Sequence, residues 1–288
     1  MLTTLKEVLC PARAQHYAVP AFDCMEDVMV RAILETAEAH QSPVILMCLL
    51  ADLKGNGWPY MSGLIKAAAR YHKVPAVLHL DHAGDLDAVR TAVQYGFTSV
   101  MIDGSNLPFE ENVRLTRAAV EIAAPRGISV EAELGHVGGL DLEALNRRES
   151  VLTEADEVAR FVAETGVDAL AVSIGTAHGM YASLPNLNIG RLQELDAASP
   201  VPLVLHGGSG TPQDQIRNAV CHGICKLNIY ADERQAMARG LERAARSQRR
   251  PDPLPEEIFG PIKEELCGVV AEKIVLLGSA GRAGPAAQ

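Results

Sequence analysis

The sequence predicts a (β/α)8 TIM barrel, an α/β fold in which eight parallel strands close into one sheet. Short apolar segments of strand type recur eight times, with amphipathic segments between most of them, and this alternation is typical of a parallel sheet. The 288 residues suit the roughly 250 that one such barrel needs. An open doubly wound sheet is the runner-up, but its glycine-rich dinucleotide fingerprint is missing after the first strand, which continues into Asp23-Cys24-Met25.

The predicted strands are short, mostly aliphatic runs, and the predicted helices repeat apolar residues with approximate helical periodicity. Gly96 and the Pro125-Arg126-Gly127 segment are expected to end two of the helices. The strands are expected at residues 17–22, 43–48, 76–81, 99–103, 128–133, 169–174, 202–205 and 224–229. The helices are expected at residues 25–40, 61–71, 85–95, 109–124, 157–165, 189–197, 213–222 and 262–275.

No linker interrupts this alternation, so the sequence predicts one domain over residues 1–288. The polar connection at 135–150 is long for a strand-to-helix loop, and such loops are usually mobile or functional. Thr153 is expected to cap the helix that follows this loop. The chain should end in a helical tail and a loose segment from Gly278.

The formal net charge of −10 argues against a nucleic-acid or anionic-membrane partner, since both bind positively charged surfaces. No apolar run approaches the roughly 18 residues of a membrane span, and the N-terminal residues lack the apolar region of a signal peptide. The six cysteines show no disulfide-framework spacing, and three lie in or beside apolar strand-like runs, which favours reduced thiols in a cytoplasmic enzyme.

Histidines and carboxylates gather where the predicted strands end, which is where barrel enzymes form their active sites. The third strand ends in Asp81-His82, and the sixth and seventh lead into His178 and His206. Three imidazoles from three strands, with a fourth position open, are the ligand set of a catalytic zinc ion. A mutually satisfied Asp81–His82 pair, with His178 and His206 as polar loop residues, is the alternative reading. Carboxylates at the ends of other strands are Asp23, Asp103, Glu131 and Glu133.

The Gly207-Gly208-Ser209-Gly210 segment follows the seventh predicted strand. Its backbone N–H groups and its hydroxyl are suited to hold a phosphate, and the loop after the seventh strand is a frequent phosphate site in barrels. Turns are commonly rich in glycine, so this signal gains weight mainly from the neighbouring His206.

Taken in order, these motifs resemble the class II (zinc-dependent) ketose-bisphosphate aldolase family, with tagatose-bisphosphate and fructose-bisphosphate aldolases as the closest types. The resemblance extends from residue 17 to residue 282 and therefore covers nearly the whole chain. The motifs that carry it are His79-Leu80-Asp81-His82, Met101-Ile102-Asp103-Gly104-Ser105, Val130-Glu131-Ala132-Glu133-Leu134-Gly135, Gly175-Thr176-Ala177-His178-Gly179 and Leu205-His206-Gly207-Gly208-Ser209.

The resemblance implies a role for each part of the site. Asp81 would be the proton donor and acceptor at the aldehyde-derived oxygen, and Asn228 would contact the enediolate end of the donor. Arg282 would reach the far phosphate, in some members across a subunit interface. Zn²⁺ would be held by His82, His178 and His206, with Asp103 and Glu133 at an alternative or second metal position. The donor phosphate and a monovalent cation, Na⁺ or K⁺, would lie at Gly179, Gly207 and Ser209.

The chemistry of aldol cleavage agrees with those roles. A metal bound to the ketone oxygen stabilises the developing negative charge, whereas a Schiff-base aldolase would need a lysine at a strand end. Lys226 is the lysine that falls in a predicted strand, and it precedes the strand end. The base that takes the donor proton is expected from the long loop, where Glu143 and Glu149 remain equal candidates.

Four positions depart from the family's pattern, and all concern the substrate. Asp23 replaces the usual Asn, Ala231 the usual phosphate-binding Thr, and Tyr230 a small or acidic residue; Ala182 follows Tyr181 where a lysine is common. Arg234 is retained near the acceptor side. Losing a charge-assisted phosphate contact costs about 1.5–3 kcal/mol, so the donor phosphate should bind less tightly.

The sequence thus predicts a lyase of carbohydrate metabolism, such as glycolysis, that cleaves a ketose 1,6-bisphosphate to dihydroxyacetone phosphate and an aldehyde. It is expected to be a homodimer or homotetramer. One alternative is a metal aldolase with an unphosphorylated ketose or keto-acid donor. The other is a non-catalytic sugar-phosphate-binding protein, which would have no use for the acid Asp81.

Overall fold

The computed structural model describes residues 1–140, 147–148, 150–177, 179 and 185–284. Its strands are β1 (Val19–Asp23), β2 (Val44–Leu49), β3 (Ala76–Ala83), β4 (Ser99–Ile102), β5 (Ser129–Leu134), β6 (Gly139–Leu140), β7 (Arg147–Arg148), β8 (Ala169–Val172), β9 (Leu203–Leu205) and β10 (Ile224–Ile229). Its α-helices are α1 (Leu5–Gln15), α2 (Asp27–Ala39), α3 (Gly57–Ala69), α4 (Leu86–Tyr95), α5 (Phe109–Ala123), α6 (Ala155–Thr165), α7 (Ile189–Ala198), α8 (Gln213–Cys221), α9 (Ala231–Ser247) and α10 (Pro255–Leu276).

Eight of the strands are parallel neighbours in a closed barrel, in the order β1-β10-β9-β8-β5-β4-β3-β2. The predicted TIM barrel is therefore confirmed. Alternate residues of each strand point to opposite faces of the sheet, and both faces are buried. Phe22, Leu46 and Leu78 belong to the cluster that packs with the helices, whereas Ile45 and Val77 belong to the barrel interior.

The barrel interior is closed at the N-terminal ends of the strands by α1, a helix that the periodicity argument missed. Leu5 and Leu9 of this helix are fully buried and join the interior cluster with Ile45. The helix begins with a capping box in which the Thr4 hydroxyl accepts from the Glu7 backbone N–H, and the Glu7 carboxylate accepts from the Thr4 backbone N–H. Catalytic groups are therefore expected at the opposite end of the barrel, where the strands have their C-terminal ends.

Two sequence predictions need correction, and a second helix was not predicted. Thr153 does not cap α6; its hydroxyl donates to the Leu134 carbonyl and accepts from the Ser173 backbone N–H, so it joins β5 to the segment after β8. The region 231–247, which was not assigned, forms α9 and packs against α10. The segment after Gly278 is ordered up to residue 284, because Gly281 and Ala283 donate backbone hydrogen bonds to His40 and Gln41.

The long connection at 135–150 contains β6 and β7, which pair as a short antiparallel ribbon. Residues 141–146 and 149 of this connection lie outside the described residues, so its mobility remains a prediction. No helix in the described part of the chain combines the length and hydropathy required to cross a bilayer.

Candidate active site

A pocket of about 400 Å³ opens at the C-terminal ends of the barrel strands. It is bordered by the ends of β1, β3, β4 and β5 and by the segments that follow β2, β9 and β10. The residues assigned from the sequence that line it are Asp23, Asp81, His82, Asp103, Glu133, Gly179, Gly207, Ser209, Asn228, Tyr230, Ala231 and Arg234.

His82 lies inside β3 rather than in the loop expected after it. The pairing of β3 with β4 shifts register between Leu80 and Ala83, which is the mark of a β-bulge. Within this bulge His82 has a φ of 48°, in the left-handed region that a non-glycine residue seldom adopts. The bulge turns the imidazole into the pocket, where its Nδ1 lies 2.9 Å from Asp103 Oδ2.

Carboxylates dominate the electrostatics around His82. Burial alone would lower its pKa, but Asp81, Asp103 and Glu133 together raise the pKa to about 10. Burial would likewise raise the pKa of Asp103, yet the His82 imidazole lowers it well below its usual range. The pKa of Glu133 is raised to about 8 by burial and by the Asp103 charge. The cluster therefore stabilises positive charge at His82, in the form of a proton or of a metal ion.

His206 is fully buried beneath the pocket and is held by an ion pair inside the barrel. Its Nε2 lies 3.0 Å from Glu131 Oε1, and Lys226 Nζ donates to Glu131 Oε2 at 2.8 Å. A carboxylate only accepts hydrogen bonds, so Nε2 carries the proton and Nδ1 has the lone pair. That Nδ1 is 3.4 Å from Glu133 Oε2. Burial and the charge of His82 lower the pKa of His206, which keeps it neutral, as a metal ligand must be.

Asp81 lies at the floor of the pocket beside these groups. The Asn228 side-chain amide donates to its Oδ1 at 3.2 Å, and its Oδ2 is 3.9 Å from His82 Nε2. His79 is fully buried with its Nδ1 2.8 Å from Ser99 Oγ, and its Nε2 is 3.9 Å from Asp81 Oδ1. Asp81 is thus oriented from one side while its other oxygen faces the metal-ligating groups.

The described residues fit a divalent metal ion. Two groups offer nitrogen and oxygen atoms within 4.8 Å of one another: Asp81 with His82 and His206, and His82 with Asp103 and Glu133. Glu133 Oε2 is buried and accepts no hydrogen bond from the residues described here, as expected where a cation completes the set. Imidazole nitrogen and carboxylate oxygen are ligands that zinc accepts. His178, the third predicted imidazole, lies outside the described residues, as do Glu143 and Glu149.

One side of the pocket, the glycine side (Gly179, Gly207, Gly208, Ser209 and Ala231), is suited to an anion. Gly179 and Gly207 have φ values of 83° and 69°, and a Cβ on Gly207 would lie 2.4 Å from the Ala177 carbonyl oxygen. Ser209 Oγ accepts from the backbone N–H groups of Tyr230 and Asp232 at 3.2 Å, so its own proton is the one it donates. Helix α9 begins at Ala231 and adds the positive end of its dipole.

The other side, the acidic side, has the opposite character: Asp23, Tyr230 and Arg234 line the pocket there. Asp52 and Glu233 lie close behind them. Asp23 and Glu233 are both buried, and Asp23 Oδ1 and both Glu233 oxygens have no hydrogen-bond partner among the described residues. Burial raises the pKa of both carboxyls; the charge of Asp81 raises that of Asp23 further, and the charge of Asp23 raises that of Glu233. The Arg234 guanidinium stacks on the Tyr230 ring with its Cζ 4.7 Å from the ring centroid.

Comparison with known proteins identifies the family. The family model for class II fructose-bisphosphate aldolases matches residues 3–282 of the chain. The chain belongs to this family. The resemblance read from the motifs is thereby confirmed, and the protein is an aldolase, a carbon–carbon lyase of carbohydrate metabolism.

Similar proteins cover almost the whole chain. A fructose-bisphosphate aldolase from Giardia intestinalis is 37% identical over 310 residues, which cover 98% of this chain and 95% of that protein. The X-ray structure of the YdjI aldolase from Escherichia coli K12 has a TM-score of 0.88 and 33% identity, with 98% and 100% of the two chains covered. A putative fructose-1,6-bisphosphate aldolase from Coccidioides immitis has a TM-score of 0.86, 28% identity and 97% coverage of both chains.

Arg282 does not lie in the pocket of this aldolase. Its guanidinium donates to Gln15 Oε1 at 2.8 Å and stacks over Tyr17, with Cζ 5.4 Å from the ring centroid. Tyr17 precedes β1, so Arg282 sits at the N-terminal end of the barrel, opposite the pocket. The expected contact with a far phosphate is therefore not made within one chain, because backbone hydrogen bonds to the segment after α2 hold the tail at that end.

Three features of the site had only weak sequence signals or none. Lys226 and Asn228 are two residues apart in one strand and therefore point to the same face of the sheet, which indicates that the lysine points inward. No feature of the sequence indicates Glu131 as its partner. Glu233 follows a strand end as an acid in the first turn of α9, where it is expected merely to complement the helix dipole. His136, on which no role was placed, lines the pocket with Nδ1 3.0 Å from Ser105 Oγ.

Proposed function

We propose that this aldolase is zinc-dependent and cleaves a ketose phosphate to dihydroxyacetone phosphate and an aldehyde. The observation that carries the proposal is the position of Asp81. It faces the His82 and His206 cluster on one side and is oriented by the Asn228 amide on the other, in a pocket whose glycine side suits a phosphate. A site that only bound sugar phosphate would gain nothing from this arrangement.

His82, His206 and, from outside the described residues, His178 would hold the zinc, with Asp103 and Glu133 as an alternative or second position. When bound there, zinc stabilises the negative charge that develops on the ketone oxygen as the carbon–carbon bond breaks. Glu131 and Lys226 keep the His206 imidazole neutral and fixed in one tautomer, which the metal site requires.

Asp81 moves the proton of the hydroxyl at C4. In cleavage its carboxylate accepts the proton as the aldehyde forms, and in condensation the acid returns it to the aldehyde oxygen. The Asn228 hydrogen bond fixes one carboxylate oxygen and leaves the other directed toward the pocket. Asn228 Oδ1 accepts no bond from the described residues and is placed to contact the donor half of the substrate.

The donor phosphate would lie on the glycine side, where Ser209 donates its hydroxyl proton and α9 presents its N-terminus. Na⁺ or K⁺ would accompany that phosphate at Gly179, Gly207 and Ser209. The proton on the donor carbon would be removed by Glu143 or Glu149. A cytoplasmic homodimer or homotetramer that acts in glycolysis or a related route completes the proposal.

One alternative is a donor without phosphate, favoured by Ala231, which offers no hydroxyl at the start of α9. The test is the release of dihydroxyacetone phosphate from fructose and tagatose phosphates, measured in the zinc-loaded protein, after chelation and after zinc is restored. We expect release that chelation abolishes and zinc restores. Turnover of unphosphorylated ketoses alone would favour the alternative, and full activity after complete metal removal would contradict the proposal.

A further inference from the structure

Helix α9 begins with two acidic residues, although its N-terminus borders the glycine side of the pocket. Asp232 and Glu233 both lie in its first turn. A carboxylate in a first turn complements the helix dipole, and it thereby cancels the positive end that an anion would use. Phosphate binding at this helix terminus therefore requires that both acidic charges be balanced by other parts of the protein.

Burial removes the charge of Glu233 from this conflict. Glu233 is fully buried near Asp23, and burial raises its pKa well above the ordinary value of 4.5, which favours the protonated, uncharged form. A protonated carboxyl adds no negative charge to the glycine side. The charge at the start of α9 therefore depends on Asp232.

Asp232 is balanced by a buried lysine of the last helix. Lys273 of α10 is only 6% exposed, and its Nζ lies 2.6 Å from Asp232 Oδ2. Because this oxygen accepts no hydrogen bond of good geometry from the described residues, the contact is that of an ion pair. The half-exposed Glu272 is farther from Nζ, at 3.8 Å. A buried ammonium group is costly unless it is paired, so Asp232 is the group that holds Lys273 in place.

The Asp232–Lys273 pair lies directly behind the glycine side. The Asp232 backbone N–H donates to Ser209 Oγ at 3.2 Å, and Ser209 lines the pocket. Arg234 is the one lysine or arginine among the described lining residues, and it lies on the acidic side. Lys273 therefore supplies a positive charge behind the glycine side, where the lining itself supplies backbone and hydroxyl donors.

We infer that Lys273 is a positioning residue of the phosphate site: by pairing with Asp232 it removes a negative charge from the start of α9, so that this helix terminus and Ser209 hold the donor phosphate. The inference rests on the proposed phosphate-bearing donor and adds to it a residue of α10 that does not line the pocket. Without Lys273, the Asp232 carboxylate would repel the phosphate at the place where α9 should attract it.

The test compares the dissociation constants of dihydroxyacetone phosphate and of unphosphorylated dihydroxyacetone, measured by calorimetry on the zinc-loaded protein. Lys273→Met removes the charge and keeps an unbranched side chain. The phosphate ester should then bind about tenfold more weakly, as expected for a unit charge several ångströms away near a protein surface. Binding of dihydroxyacetone should stay unchanged. In cleavage of fructose 1,6-bisphosphate, KM should rise while kcat is retained.

A second variant separates the effect of charge from an effect on the fold. Asp232→Asn removes the carboxylate that opposes the phosphate, so it should bind the phosphate ester at least as tightly as the unaltered protein does. The combination of Asp232→Asn with Lys273→Met has neither charge and should recover the binding that Lys273→Met loses. Lys263→Met is the matched control, because Lys263 lies on the same helix in an ion pair with Glu35 and should leave both constants unchanged.

The outcomes separate the inference from the function on which it rests. Equal losses in Lys273→Met and Asp232→Asn would show a pair that only stabilises the helices. That result, unchanged binding in Lys273→Met, or an equal loss for dihydroxyacetone and its phosphate would overturn the inference and leave the aldolase function intact. An unaltered, zinc-loaded protein that binds dihydroxyacetone as tightly as its phosphate would overturn the proposed phosphate site, and the inference with it.

Discussion

Two buried groups of charged side chains lie beside the metal-ligating cluster, namely Glu131 with Lys226 and Asp23 with Glu233. They differ in how their charge is balanced. Glu131 is fully buried, but one oxygen accepts from Lys226 and the other from His206. Asp23 and Glu233 are also buried, yet three of their four oxygens have no hydrogen-bond partner among the residues described. The protein itself supplies a hydrogen-bond donor to both oxygens of Glu131, whereas the described residues supply none to most oxygens of Asp23 and Glu233.

The difference shows what each region contributes. A buried ion pair with all its hydrogen bonds made fixes geometry, here the tautomer of His206. A buried carboxyl without a partner costs stability, and a cost of that kind commonly marks a site that contacts a ligand. Glu131 and Lys226, on β5 and β10, therefore hold one metal-ligating imidazole in place, whereas the β1 end is the region suited to contact a ligand.

The largest expected effect comes from Asp81, which lies between the two regions. Asp81→Asn keeps the hydrogen-bonding shape but cannot take a proton, so kcat should fall by about 10²–10⁴-fold. Zinc content, measured by elemental analysis, should remain that of the unaltered protein. Loss of metal together with activity would show that Asp81 supports the site rather than moving the proton.

Substitution in the balanced region, Glu131 with Lys226, should lower the free energy of unfolding. Lys226→Met leaves Glu131 buried without its cation, and removal of one partner from such a pair costs about 3–5 kcal/mol in the free energy of unfolding. Lys6→Met is the control, because its ion pair with Asp168 is on the surface and such pairs contribute at most about 1 kcal/mol. Chemical denaturation measures both, and equal losses in the two variants would contradict the comparison.

Removing a charge from the unbalanced region, Asp23 with Glu233, should instead stabilise the protein. The folded pKa of Glu233 is raised above its ordinary value of 4.5 by burial and by Asp23. The folded state then holds a proton that the unfolded state releases, so stability falls as the pH rises above about 4.5. Glu233→Gln removes this loss and should stabilise the protein by about 1–3 kcal/mol at pH 8, with no gain at pH 4. Denaturation at both pH values tests this, and Glu242→Gln, exposed on the same helix, is the control.

The sequence predicts the barrel and the strand ends well because both depend on local periodicity. Asp81-His82 and His206 could be placed at one mouth from strand parity and the rule that barrel sites form at C-terminal ends. The bulge at His82 could not be predicted, because it arises from a register shift against β4 and no residue of the motif indicates that shift. The Lys226–Glu131 pair joins residues 95 positions apart in sequence and needs the closed barrel to form.

Two charged residues show the limit of the sequence. Arg282 was expected to reach the far phosphate, in some members across a subunit interface, and within one chain tertiary hydrogen bonds of the tail hold it at the other end of the barrel. Glu233 attracted no attention because an acid in the first turn of a helix is ordinary, and only the packing of α9 against the β1 end buries it. Long-range packing decides the partners of a charged side chain, and one sequence does not show them.

The most direct measurement of the contrast is the zinc dissociation constant of two variants, obtained by competition with a chromogenic chelator. Glu131→Gln offers one acceptor where the carboxylate offers two, so it should weaken zinc binding by about 10–100-fold, as loss of a residue that orients a ligand does. Asp23→Asn should change the constant far less, because Asp23 lies on the acidic side and in neither of the two metal-ligating groups. Zinc binding that weakens equally in both variants, or more in Asp23→Asn, would contradict the division between the two regions.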